Sequence, residues 1–150
     1  MIYKEEVRDL FSVPEDYYLA HCISADFGMG KGIVVEFNKR FDMKHILQTK
    51  YPDYINQFHR QQKLFDCILE GRVFNLITKE RYFEKPTYET MFGALHEMKF
   101  LCWRCSENIH KIAMPTIGCG LDGLEWDRVV RIIKYIFKEE DIEILVCRKE

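Results

Sequence analysis

The chain has 150 residues, 47% hydrophobic and 14% aromatic, which is the size and content of one folded domain with a continuous core and excludes a disordered segment. Its formal charge of −2 excludes bulk attraction to a polyanion, but allows a local basic pocket around a phosphate. No stretch approaches the ~20 apolar residues of a membrane span, so no membrane partner is expected.

The opening MIYKEEVRDLF carries acids and lacks a long apolar run, so no export signal is read there. The expected address is cytoplasmic or nuclear, with Cys22, Cys67, Cys102, Cys105, Cys119 and Cys147 as reduced thiols. Cys102 and Cys105 form a lone CxxC within a helical pattern and lack a second pair at zinc spacing, so no metal is expected.

In chain order, Met1–Val7 has a strand-like mixture, and Tyr17–Ser24 is a short apolar run bounded by turn-prone residues. A glycine loop, Gly28-Met29-Gly30-Lys31-Gly32, leads into Ile33–Phe41, where Ile33, Phe37 and Phe41 recur at helical spacing. Met43–Lys63 predicts two short helices broken at Pro52. Leu64–Glu70 and Arg72–Thr78 predict a hairpin turning at Glu70-Gly71. A helix capped by Thr87 follows, with Tyr88, Met91, Leu95, Met98, Leu101 and Cys102 along one face. Ile109–Pro115 reads as a buried strand, and Ile117–Leu124 as a second glycine loop. Helix Trp126–Phe137 turns Val129, Val130, Ile133 and Ile136 to a core, and Ile142–Cys147 closes the chain as an apolar strand. No linker or repeat divides this order, which predicts a single α/β domain over residues 1–150, its sheet covered on both faces.

Each glycine loop follows a predicted strand and precedes a predicted helix. There backbone N–H groups can approach an anion, helped by the positive end of the helix. Two such loops suit a diphosphate, although plain turn chemistry explains them equally well. GMGKG lacks the full GxxxxGK[ST] of a P-loop, and GCGLDG does not space its glycines as GxGxxG.

Asp9-Leu10-Phe11, LAHCIS (Leu19–Ser24), MGKGI (Met29–Ile33), NLITK (Asn75–Lys79), KPTYE (Lys85–Glu89) and MPTIGCGLDGLEW (Met114–Trp126) follow in that order. Together they resemble the macrodomain branch of terminal ADP-ribose protein glycohydrolases, also described as O-acetyl-ADP-ribose deacetylases. The resemblance implies a three-layer α/β/α macrodomain with a central mixed, mostly parallel sheet. It implies ADP-ribose as ligand and product, and no cofactor. It assigns Asp9 and Leu10 to the adenine end, and Gly28, Met29, Gly30, Lys31, Gly32 and Ile33 to the distal ribose and its phosphate. Thr116, Ile117, Gly118, Cys119, Gly120 and Leu121, running on to Asp122, would wrap the diphosphate and the distal ribose, with Pro115 and Ser24 among the contacts and Thr87 near the distal ribose. Lys79 would be the nucleophile and Asp122 its acid/base partner. An amine attacks carbon only when neutral, which burial favours.

The implied activity is removal of mono-ADP-ribose from acidic protein side chains, deacetylation of O-acetyl-ADP-ribose, or both. The partners would be ADP-ribose or an ADP-ribosylated protein, with ADP-ribosylated nucleic acid as an alternative and a monomer as the working state. A non-catalytic ADP-ribose reader, a hydrolase of ADP-ribosylated DNA bases and an ADP-ribose 1″-phosphate phosphatase stay open. Arg8 stands where the family has glycine, Thr116 where it often has a basic residue, and Arg148-Lys149-Glu150 where it has an apolar end. Trp103 and Trp126 read as packing residues, and Phe27 as either a cover for the distal ribose or a hydrophobic staple. His21 and Cys22, adjacent on a strand, point to opposite faces and cannot share one site.

Overall fold

In the computed structural model, which describes residues 1–105 and 107–149, the apolar runs become one six-stranded sheet. Glu150, the last residue of the charged tail, lies outside the described residues. The strands β1 (Ile2–Val7), β2 (Tyr18–Ser24), β3 (Asp66–Glu70), β4 (Val73–Lys79), β5 (Lys111–Met114) and β6 (Glu143–Arg148) lie in the order β1-β6-β5-β2-β4-β3. Only the β3–β4 hairpin pairs antiparallel; the other neighbours are parallel.

Helices α1 (Val34–Phe41), α2 (Met43–Lys50) and α3 (Tyr54–Arg60) cover one face, and α4 (Tyr88–Arg104) and α5 (Trp126–Phe137) the other. This is the expected three-layer arrangement. Strand alternation divides the core between the layers. Ala20, Phe74 and Leu76 pack toward α4 and α5, whereas Leu19, Ile23, Val73 and Ile77 pack toward α1–α3. Central strands buried on both faces read as continuous apolar runs, which is why YYLAHCIS and IEILVC stand out in the sequence. Phe37, Phe58, Phe74 and Phe137 are fully buried, each contributing about 1.5–3 kcal/mol by removal from water.

Local chemistry sets the element ends. Thr87 caps α4 through a capping box with Thr90, accepting from its N–H at 3.1 Å. The hairpin turns on Gly71-Arg72, with Gly71 at φ +59°, one residue later than expected. β5 is shorter than the expected Ile109–Pro115. Val130 is only half-buried, and Phe137 completes the buried stripe of α5.

Trp103 does not pack into the core. It is 57% exposed on α4, its indole N–H donating to Glu140. Trp126 does pack against the core, and its N–H donates to Glu5 at 3.2 Å. All six cysteines are free thiols, and no helix among the described residues is long and apolar enough to cross a membrane.

Candidate active site

Four parallel strands bring the sequence-predicted residues to one edge of the sheet. Asp9 and Leu10 follow β1, Ser24 to Ile33 end and follow β2, Lys79 ends β4, and Pro115 to Asp122 follow β5. Carboxyl ends of parallel strands lie together, so residues far apart in sequence share one cleft edge. In the strand order, Asp9 comes first, then the second glycine loop, then the first, then Lys79.

Asp9 caps a short 3-10 turn, accepting from the Phe11 N–H at 3.0 Å, while Leu10 is buried beneath it. Arg8, in place of the expected glycine, strengthens this turn. Its guanidinium donates to Ser12 Oγ at 3.3 Å and to the Ser12 carbonyl at 3.1 Å. Arg148, beside Val7 in the β1–β6 register, pairs with Glu5 at 2.9 Å.

The first loop is organised by a residue the sequence reading missed. Asp26 Oδ1 accepts from the Ser24 hydroxyl and, at 3.1 Å, from the Gly28 N–H; its Oδ2 accepts from the Tyr82 N–H at 2.9 Å. Burial alone would raise this carboxyl, but the hydrogen bonds from Ser24, Tyr82 and Gly28, with the charge of Arg81, hold it below the ordinary aspartate value. Its signal was the S-x-D-x-G spacing, which suits an aspartate that receives an amide two residues on. Gly28 must be glycine, because a Cβ there would stand 2.8 Å from Tyr82 Cβ. Met29 is buried, Gly30 and Lys31 are exposed, and Ile33 leads into α1. Phe27 is buried against Tyr54, ring centroids 5.3 Å apart, and so offers no ring to a distal ribose.

The second loop follows β5 through half-buried Pro115 and Thr116 and buried Ile117. Gly118 (φ +76°), Gly120 (φ +71°) and Gly123 (φ +81°) take left-handed backbone conformations that let the loop turn tightly. Cys119 is half-buried, and the Leu121 side chain is 64% exposed, its Cδ1 4.0 Å from where a Cβ on Gly32 of the first loop would stand. The KPTYE segment holds this loop from below: Lys85 Nζ donates to the Leu121 carbonyl, and the Glu125 N–H donates to Tyr88 Oη at 2.9 Å.

Lys79 and Asp122 meet. Lys79 Nζ donates to Asp122 Oδ1 at 3.0 Å, with side chains only 15% and 19% exposed. Asp122 ends a 3-10 turn and does not cap α5, whose N-cap is Glu125. As an ammonium–carboxylate pair they hold one another in place. For such an amine to act on carbon its proton would have to leave, and the Asp122 carboxylate is the group in contact with it.

The other candidates separate. Thr87 spends its hydroxyl on the α4 cap. Burial, with the Asp122 charge adding to it, pushes the Cys22 thiol far above its usual range and leaves it a poor nucleophile. His21, on the opposite face, is buried against Phe37 at 3.8 Å and bonded to Asn75 at 2.6 Å. Burial lowers it to about 4. Hollows of about 240 and 250 Å³ around Asp141 and beside Trp103 include no residue of either glycine loop, and the converging polar groups lie elsewhere.

No protein-family model matches the chain. By sequence it is 39% identical over 139 residues to the ADP-ribose glycohydrolase OARD1 of Homo sapiens, covering 92% of this chain and 86% of that protein. Among solved structures, the DarG macrodomain of Mycobacterium tuberculosis superposes with a TM-score of 0.74 at 18% identity, covering 99% of this chain and 98% of that one. The DarG macrodomain of Thermus aquaticus gives 0.71 at 22% identity, covering 97% of each chain. These two share the fold. The sequence identity carries the assignment further: the chain belongs to the macrodomain family, in its ADP-ribose glycohydrolase branch.

Proposed function

We propose that the chain binds ADP-ribose along this edge and hydrolyses the bond joining its distal ribose to an acyl group, on an acidic protein side chain or in O-acetyl-ADP-ribose. The contact that carries the reading is Lys79 with Asp122, residues 43 apart in sequence and 3.0 Å apart in space. The relative's name, ADP-ribose glycohydrolase, supports the same reaction class. So does the loop order, because adenine, diphosphate, distal ribose and linkage follow one another in the ligand as Asp9, the second loop, the first loop and Lys79 do along the sheet.

In this reading Asp122 takes the Lys79 proton, and the neutral amine attacks the anomeric carbon of the distal ribose. An acyl group carried on that carbon leaves as a carboxylate with the bonding electron pair. Water then hydrolyses the lysyl–sugar adduct, releasing ADP-ribose and restoring the amine. A reader would need the loops alone, and the buried pair is superfluous to it. A nucleobase leaving group is the second reading. It is favoured by Tyr82 and Phe83, exposed and edge-to-face at 5.5 Å, just after Lys79.

The test uses wild type, Lys79→Ala and Asp122→Ala with a protein mono-ADP-ribosylated on glutamate, reading free ADP-ribose, with binding followed by calorimetry. Release by wild type that is lost in both folded variants supports the pair. Tight ADP-ribose binding without release turns the question to ADP-ribosylated DNA, and inactivity there as well leaves a reader.

A further inference from the structure

β4 carries an irregularity that decides where Lys79 points. Ile23 pairs with Ile77, but the next residue, Ser24, pairs with Lys79, so Thr78 is an extra residue. Up to that point the alternation is regular: Leu76 faces α4 and α5, and Ile77 faces α1–α3. Continued without the shift, it would send Lys79 toward α1–α3. The second loop lies on the other side, where Gly118 would touch Met91 of α4 if it had a Cβ. The bulge resets the alternation. Lys79 then shares the face of Ser24, its register partner, and reaches Asp122.

A bulge in a parallel pair needs anchoring beyond it, because the ladder is broken there. Two backbone bonds resume the pairing, Ala25 N–H to the Lys79 carbonyl at 3.0 Å and Asp26 N–H to the Glu80 carbonyl at 3.2 Å. The Asp26 carboxylate completes the anchor, one oxygen on the Tyr82 N–H and the other on the Gly28 N–H and Ser24 hydroxyl. Ser24, Gly28 and Tyr82 thus converge on one side chain spanning 56 residues of sequence.

We propose that Asp26 is the positioning residue of this site, pinning the segment after Lys79 to the first glycine loop so that the lysine keeps the aim the bulge gives it. The proposal rests on the hydrolase reading for its kinetic consequence only. Asp26 acts through the backbone of Tyr82, three residues after the lysine, and of Gly28 in the first loop.

Asp26→Asn separates the two arms. With its Oδ1 retained toward Gly28 and Ser24, the new NH2 faces the Tyr82 N–H, donor against donor. Binding elements of the first loop stay tied, while the side-chain tie to Tyr82, after Lys79, is lost. In the full chain, Asp26→Asn is expected to lower kcat on the glutamate-linked substrate by on the order of 10²-fold with KM within about threefold, the pattern of a misplaced reacting group. Folded Asp26→Asn with kcat within about threefold of wild type, or with a change confined to KM, overturns the proposal.

A second measurement does not depend on turnover. The rate at which an acylating reagent labels Lys79, read by peptide mass spectrometry, should differ between wild type and Asp26→Asn by about threefold or more, since the amine's surroundings change. If wild type releases no ADP-ribose, the hydrolase reading fails, and equal labelling rates would then sink the positioning role separately. Should Asp26→Asn not fold, Tyr82→Pro deletes the donating N–H with Asp26 in place, and the same criteria apply.

Discussion

At the residue scale, Lys79 ends β4 and Asp122 lies in the second loop, so the proposed pair can be taken apart one side chain at a time. Lys79→Ala removes the proposed nucleophile and should lower kcat by on the order of 10³-fold or more, while ADP-ribose affinity falls by less than about tenfold. Lys79→Arg keeps the charge but remains protonated, so it should stay inactive in the same assay. The glycines of the second loop differ in kind. Gly118 combines φ +76° with a Cβ position 2.6 Å from Met91 Cε, whereas Gly120 has φ +71° and open space. Gly118→Ala should therefore cost about 2–4 kcal/mol and Gly120→Ala about 1 kcal/mol, separable by chemical denaturation. Equal losses would show that strain alone matters at both positions. The S-x-D-x-G spacing of Asp26 was visible in the sequence, but its second partner, the Tyr82 N–H, was not.

Among the elements, α4 links stability to the site because its first turn also supports the second loop. Thr87 closes the capping box and Tyr88 receives the Glu125 N–H. Thr87→Ala should lower stability by about 1 kcal/mol, and Thr87→Ser should restore most of it. Calorimetry is expected to find ADP-ribose affinity changed by less than about threefold in Thr87→Ala, because the hydroxyl is engaged at the helix end. A larger loss would return Thr87 to the distal ribose. Apolar spacing located the strands, α1, α4 and α5 to within about two residues, being a local property, and gave the two helices of Met43–Lys63 without separate bounds. It missed the bulge at Thr78, because a bulge exists only relative to the neighbouring strand.

For the whole molecule, one buried polar cluster sets a pH dependence. His21 is enclosed between β2 and α1, bonded to Asn75, and burial lowers it from the ordinary value of about 6.5 to about 4. The unfolded chain takes up the proton first as pH falls. Stability contributed by the neutral imidazole is therefore full above pH ~6.5, is lost as pH falls from there to about 4, and changes no further below that. The loss is on the order of 3 kcal/mol. Denaturant midpoints measured across this range should fall, and His21→Phe should flatten the slope whatever its absolute stability. A slope unchanged in the variant would assign the acid sensitivity to carboxylates instead.

The sequence by itself determined the α/β layering, the two glycine loops and, through resemblance, the family and its candidate pair. These follow from local spacing and from motifs that survive as contiguous strings. Only the tertiary structure decided that Trp103 stays at the surface, that Phe27 turns away from the cleft, and that Lys79 reaches Asp122. Such outcomes depend on which face a strand presents after a register shift and on hydrogen bonds between distant segments. Neither property has a period, a composition or a fixed spacing along the chain that a linear reading can detect.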